Sequence, residues 1–135
     1  MKLETPVTVA VVECYDKRAG AFQLVFSWDG EAASVRALGP TERCPRVDGT
    51  PEQKAQAFDW LRANHKGDPV AAYMRFRSMV DAGAYAEVTG GRKAKKGTKV
   101  FVLAAMPNGK DALCITPDNE LAELNRDYLW GPLAA

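Results

Sequence analysis

The residues best suited to chemistry in this chain form a basic run directly after the glycine pair Gly90-Gly91. No acidic residue interrupts its five cations, which are Arg92, Lys93, Lys95, Lys96 and Lys99. Guanidinium and ammonium groups on a glycine-flanked loop can follow a phosphate backbone, and each phosphate that they neutralise releases counterions. The run therefore predicts contact with nucleic acid or another polyanion. A solvated loop, or a loop that meets an acidic protein surface, would have the same composition, and both alternatives stay open.

The overall charge balance indicates no partner by itself. The chain has 18 Lys plus Arg against 17 Asp plus Glu, for a net charge of +1. Residues 90–99 carry five positive charges and no negative charge, so the rest of the chain carries a net charge of −4. A second pair of cations, Lys17 and Arg18, lies in an earlier predicted turn and would extend the basic surface if both loops lie at one end of the fold.

No pattern of catalytic or metal-ligating residues is found in the sequence. The three cysteines, Cys14, Cys44 and Cys114, are far apart and never spaced as Cys-x-x-Cys, which argues against a disulfide framework and a zinc site. The single histidine, His65, falls in the last turn of a predicted helix, where a cation favours the helix dipole. We therefore expect no catalytic residue, no metal and no cofactor, and we expect a protein that is not an enzyme.

The aromatic residues divide into a core set and a surface set. Phe22, Phe26 and Trp28 recur at strand spacing, which is typical of a core face. Tyr128 and Trp130, near the C-terminus, are the aromatic residues best placed to anchor a protein partner. A homodimer is a further expectation, with Trp60 and Met74 at the edges of two predicted helical stripes.

The elements that position these residues begin with an antiparallel meander of three strands. The predicted strands are Val7 to Cys14, Ala21 to Trp28 and Ala32 to Leu38. Asp29-Gly30 between the last two predicts a type I′ hairpin turn, because Gly and Asp tolerate the positive φ that both central positions of such a turn need.

A helical hairpin is predicted next. Thr50-Pro51-Glu52-Gln53 has the form of a capping box, and the helix that it starts runs to Asn64 with Ala57, Phe58 and Leu61 on one side. Asp68-Pro69 predicts the start of a second helix that ends at Gly83. The resulting αα-hairpin is expected to bury its apolar stripe on the first sheet.

The last third of the chain returns to strands and turns. The predicted strands are Tyr85 to Thr89, Thr98 to Ala105 and Ala112 to Thr116, with turns at Pro107-Asn108-Gly109 and Pro117-Asp118-Asn119. The segment Gly90-Gly-Arg-Lys-Ala-Lys-Lys-Gly-Thr98 resembles the loop that opens a family of SH3-like small barrels. The ending Asn125-Arg-Asp-Tyr-Leu129 is similar to the short 3₁₀ turn before the last strand of such folds. The resemblance implies an SH3-like barrel with a role in binding nucleic acid or protein and without catalysis.

Together these patterns predict an α+β fold. An N-terminal antiparallel β-meander with an αα-hairpin precedes a C-terminal SH3-like small antiparallel barrel. We expect a single compact domain over residues 1–135, with subdomains over 1–83 and 84–135. The absence of an apolar leader or span predicts a cytoplasmic protein with no membrane partner. The predicted function is non-enzymatic binding of nucleic acid or another polyanion through the basic loop. The alternative is a protein–protein interaction module, such as an inhibitor or adaptor encoded on a mobile element.

Overall fold

The computed structural model describes residues 1–16, 20–39, 42, 46–64, 85–106 and 110–133. The chain divides into two compact units, an N-terminal unit Met1–Asn64 and a C-terminal unit His65–Ala135. This division falls before the boundary expected near residue 83. The expectation of one compact domain stays a prediction.

The N-terminal unit contains the expected antiparallel meander. Its strands are β1 (Val7–Asp16), β2 (Gly20–Trp28) and β3 (Ala33–Leu38), hydrogen-bonded in that order. β-Branched and aromatic residues make up six of the ten residues of β1 and four of the nine of β2. Such side chains pack well on a pleated, half-buried surface. The meander predicted from the sequence is thus confirmed, with each strand boundary within two residues of its expected position.

The turn between β2 and β3 differs from the type I′ turn expected at Asp29-Gly30. Gly30 has a φ of +97°, but Asp29 is not among the residues with positive φ, so the type I′ prediction is wrong. The carboxylate of Asp29 instead accepts backbone N–H bonds from Glu31 and Ala32, each at 2.8 Å. These bonds lower the pKa of Asp29 below its ordinary value, since they favour the ionised carboxylate. A short polar side chain that accepts hydrogen bonds from the backbone two or three residues later can stabilise a turn other than type I′.

Helix α1 (Pro51–Ala63) begins as the sequence predicts. The Thr50 side chain accepts the N–H of Gln53, and the Gln53 side chain accepts the N–H of Thr50, which completes the capping box. Loss of such a cap costs about 1 kcal/mol. The second helix of the predicted αα-hairpin, over residues 69–83, lies outside the described residues, as does Met74.

The core of the N-terminal unit lies between α1 and the sheet. The helix packs against all three strands through Ala57, Phe58 and Leu61, which are buried. The alternate residues of β2 predicted as a core face are also buried, and they are Phe22, Leu24, Phe26 and Trp28. Both core predictions are confirmed.

The C-terminal unit contains a five-stranded antiparallel sheet. Its strands are β4 (Tyr85–Val88), β5 (Lys99–Ala105), β6 (Asp111–Ile115), β7 (Leu121–Asn125) and β8 (Leu129–Leu133). Their spatial order is β7-β6-β5-β4-β8, and a 3₁₀ helix over Arg126–Tyr128 connects the two edge strands. No pairing of described residues joins β7 to β8, so the sheet does not close by hydrogen bonds into the predicted barrel. The α+β class is confirmed.

One face of this sheet forms an apolar cluster beneath the basic loop. Its buried members are Ala86, Val88, Val100, Val102, Ala112, Cys114 and Leu124. Burial raises the pKa of the Cys114 thiol to about 12, so this cysteine stays protonated and behaves as a small apolar residue. Cys14 is buried in the other unit, while Cys44 lies outside the described residues.

Among the described residues, no helix has both the length and the apolar composition needed to span a membrane.

Candidate polyanion-binding site

The loop between β4 and β5, residues 89–98 and called the basic loop below, is fixed at its base by backbone hydrogen bonds. Val88 donates to the carbonyl of Thr98 at 2.8 Å, and Gly97 donates to the carbonyl of Val88 at 2.7 Å. Thr98 donates to the carbonyl of Lys95 at 3.1 Å, which closes a tight turn directly before β5. The loop is therefore an ordered continuation of the hairpin.

A second attachment connects the beginning of the basic loop to the 3₁₀ helix. The N–H of Thr89 donates to the carbonyl of Tyr128 at 2.8 Å. A Cβ added to Gly90 would lie 3.2 Å from Cδ1 of Tyr128, and one added to Gly91 would lie 3.0 Å from Cδ2. Since Gly91 also has a φ of +90°, a side chain is disfavoured there by conformation and by space. The glycine pair thus provides the close approach that lets the loop backbone lie against the Tyr128 ring.

The middle of the basic loop is anchored by Ala94, which packs against the apolar cluster of the sheet. The charged residues on either side of Ala94 remain exposed, and they are Arg92, Lys93, Lys95 and Lys96. Because Ala94 and the hydrogen bonds at the base fix the backbone, the four cations are held on a loop with a defined path. A different concave surface adjoins each side of Ala94.

The first concave surface is a cavity of about 280 Å³, called the tyrosine cavity below. Arg92 and Lys93 line it on the loop side, and the 3₁₀ helix contributes Tyr128. Its apolar lining includes Val88 and Leu124. Asp111 and Asn125 add a carboxylate and an amide, and these two residues are called the polar wall below. Two cations thus face one carboxylate at this cavity.

The second concave surface is a wider, open depression of about 680 Å³, called the lysine groove below. Lys93 and Lys95 line it on the loop side. The β6–β7 turn forms the other side and contributes Asp118 and Glu120. Two cations therefore face two carboxylates, and the local charge is balanced.

Lys99, the fifth cation of the predicted set, is on β5 and takes part in a different arrangement. Its ammonium group lies 4.8 Å from the centre of the Tyr85 ring, within the range of a cation–π contact. In the sheet register Lys99 lies opposite Glu87, and Glu87 lies opposite Trp130 on β8. Residues directly opposite each other share a face of the sheet, so these three form a row across β5, β4 and β8.

The two aromatic residues predicted to anchor a partner are both exposed, at 45% for Tyr128 and 63% for Trp130. They do not belong to one arrangement. Tyr128 packs against the glycine pair of the basic loop, whereas Trp130 belongs to the row with Glu87 and Lys99. Leu129, between them in sequence, packs against the apolar cluster.

The remaining predicted site residues, Lys17 and Arg18, lie outside the described residues, as does His65. Whether Lys17 and Arg18 extend the basic surface therefore stays at the level of the sequence prediction. In the part of the chain that the structure describes, no three His, Cys, Asp or Glu side chains are grouped in a way that could hold a metal ion.

Sequence reasoning missed the polar wall of the tyrosine cavity, Asp111 and Asn125. Asn125 was noted only as part of the 3₁₀ ending, where its side-chain oxygen does accept the N–H of Asp127 at 2.9 Å. The pairing of β6 with β7 places Asp111 directly opposite Asn125. A prediction of β7 and its register would have brought these two residues together.

Compared with known proteins, the chain matches no family model, no curated protein and no solved structure.

Proposed function

We propose that this protein binds polyanions, with nucleic acid as the principal class, through the basic loop. The observation that carries the proposal is the exposure of Arg92, Lys93, Lys95 and Lys96 on a loop whose backbone is fixed by hydrogen bonds and by the packing of Ala94. An ordered loop loses less conformational freedom on binding than a mobile one, so more of the electrostatic attraction appears as affinity.

The proposal also takes the C-terminal unit as an SH3-like small fold used for binding. Its support is the antiparallel five-stranded sheet and the 3₁₀ helix directly before the last strand. The basic loop then joins the first two strands of this fold, with its cations clear of the apolar cluster that stabilises it.

The test is the salt dependence of oligonucleotide binding, measured by fluorescence anisotropy. If the four loop cations each neutralise one phosphate of a single strand, the logarithm of the affinity falls against the logarithm of the salt concentration with a slope of about −3. A variant with all four cations changed to Ala is expected to lose binding and its salt dependence. The matched control changes Lys93, Lys95 and Lys96 to Arg, which keeps the charge and should keep both the affinity and the slope.

The proposal is contradicted if neither DNA nor RNA binds at low salt. It is also contradicted if the Ala variant, still folded by circular dichroism, binds as the unchanged protein does. Either result would leave the basic loop as a solvated hairpin.

A second candidate function is protein–protein interaction, and the observation that favours it is Trp130. A tryptophan that is 63% exposed on an edge strand is unusual on a surface without a partner, because Trp is enriched where interfaces carry their binding energy. Affinity capture with the unchanged protein and with the Trp130→Ala variant tests this candidate. A partner retained by the first, lost by the second and unaffected by the four loop substitutions would favour it; a partner retained equally by both would contradict it.

A further inference from the structure

The tyrosine cavity has features that a simple phosphate-binding loop does not need. Phosphate contact requires exposed cations, which Arg92 and Lys93 supply. The cavity also has an aromatic wall, Tyr128, and an apolar lining to which the buried Val88 and Leu124 belong. These additional surfaces suit a flat, partly apolar group that carries a negative charge beside it.

Several contacts fix the aromatic wall before any ligand arrives. The carbonyl of Tyr128 accepts the N–H of Thr89, and Asn125 caps the 3₁₀ helix that carries the ring. The glycine pair lies against the ring and would not accommodate a side chain without displacing it. Tyr128 nevertheless stays 45% exposed, so part of its surface is available to a ligand. A ring held in place in this way loses little side-chain freedom when a second ring stacks on it.

The size and polarity of the cavity fit a single base. Its volume of about 280 Å³ lies just below the range of ordinary ligand pockets, which is about 300–1,000 Å³. Asp111 and Asn125 add a carboxylate and an amide to the lining, and such groups can bond the donors and acceptors of a base edge. A base can enter only if it is not paired and stacked within a duplex, which selects single strands.

We propose that the tyrosine cavity takes one unpaired base of a single-stranded nucleic acid, stacked on Tyr128, while the flanking phosphates contact Arg92 and Lys93. This inference rests on the proposed function and makes it more specific. It names the occupant as a base with its phosphates rather than an acidic chain of any kind. The cations provide attraction, and the ring provides the distinction between a nucleic acid and other polyanions.

The experiment compares a single strand with ligands that lack unpaired bases, by anisotropy on the full chain. The probes are a short single-stranded oligonucleotide, an abasic strand of the same length, a duplex and poly-glutamate as a competitor. Stacking on one aromatic side chain is expected to make the base-containing strand bind roughly 5- to 150-fold more tightly than the abasic strand. Tyr128→Ala should abolish this ratio, whereas Tyr128→Phe, which keeps the ring, should retain it.

A ratio that Tyr128→Ala leaves unchanged overturns the inference, while salt-dependent binding of both strands would leave the proposed function intact. Equal binding of strand, duplex and abasic strand also overturns it. Competition by poly-glutamate as effective as that by the oligonucleotide would overturn it in favour of an acidic protein ligand. If no polyanion binds at low salt, the proposed function fails and the inference fails with it.

A second measurement avoids dependence on the folding of a variant. In the unchanged protein, NMR signals of the Tyr128 ring protons should move upfield when a single-stranded dinucleotide is added, since a stacked base shields them. An abasic dinucleotide analogue should leave them in place. Ring signals that respond equally to both ligands, or to neither, contradict the inference.

Discussion

The two sides of the basic loop carry the same number of cations but differ in what faces them. At the tyrosine cavity, Arg92 and Lys93 face one carboxylate and an exposed ring. At the lysine groove, Lys93 and Lys95 face Asp118 and Glu120. Opposite charges that line one depression partly cancel the potential that a phosphate would experience there. The number of lysines in the sequence therefore overstates the positive potential on the lysine-groove side of the loop. The carboxylates of the β6–β7 turn reduce that potential, which leaves the tyrosine cavity as the side that attracts an anion more strongly.

The largest expected effect comes from removing the two cations of the tyrosine cavity, one of which, Lys93, also lines the lysine groove. The double variant Arg92→Ala with Lys93→Ala should weaken oligonucleotide binding by about tenfold or more, because it removes both cations of the tyrosine cavity. Lys95→Ala with Lys96→Ala removes the same charge and should weaken binding by only a few-fold, in proportion to long-range attraction. Anisotropy at one fixed low salt concentration measures both. Equal losses would show that the loop acts as a uniform charge, and they would contradict the difference between the tyrosine cavity and the lysine groove.

The glycines of the basic loop allow a second test, because Gly91 and Gly97 share a positive φ and differ in surroundings. Gly91→Ala would meet the Tyr128 ring, whereas a Cβ on Gly97 has no neighbour within 4 Å. Both changes should lower the free energy of unfolding by roughly 1–2 kcal/mol, since a left-handed conformation is strained for Ala. Only Gly91→Ala should also reduce the preference for base-containing over abasic strands. Urea unfolding and anisotropy measure the two effects, and a loss of preference in Gly97→Ala would be inconsistent with the role given to the tyrosine cavity.

A smaller effect, in this case a gain of affinity, is expected when the two carboxylates of the lysine groove are neutralised. Asp118→Asn with Glu120→Gln leaves the groove with two cations and no opposing carboxylate. Affinity for a single strand should rise by a few-fold at low salt, and the gain should fade at high salt because exposed charges are screened. Unchanged affinity at low salt would mean that these two carboxylates do not weaken the attraction of the lysine groove for phosphate.

The smallest effect is expected at Lys99. Lys99→Ala should change oligonucleotide affinity by less than about twofold, because its ammonium group lies over the Tyr85 ring and outside both concave surfaces. Lys96→Ala, which removes one charge from the loop itself, is the matched comparison. A larger loss at Lys99 than at Lys96 would place the binding surface on the row formed with Glu87 and Trp130.

Local signals in the sequence were sufficient for much of the fold. The capping box at Thr50 depends on residues three apart, and the core face of β2 depends on simple alternation, so both were predictable. The turn at Asp29 was not, because Asp-Gly is compatible with several turns and the side-chain bonds of Asp29 select one of them. Strand β7 was missed because Leu121–Asn125 has a weak pattern of its own and gains its order from pairing with β6.

The basic loop was located from the sequence, but the distinction between its two sides was not. Tyr128 was interpreted as an anchor for a protein partner together with Trp130. Its contact with Gly90 and Gly91 joins positions far apart in the chain and follows from the strand order, which places β8 beside β4. Likewise, the sequence does not show that Asp118 and Glu120 line the same groove as the lysines of the basic loop, because this depends on where the β6–β7 turn lies.

The most direct test is the map of backbone amide shifts when a short single-stranded oligonucleotide is titrated into ¹⁵N-labelled protein. The account predicts that the largest shifts lie at residues 90–93 and at Tyr128, with small shifts at Lys95, Asp118 and Glu120. Shifts that centre on the lysine groove, or that spread evenly over the surface, would contradict it.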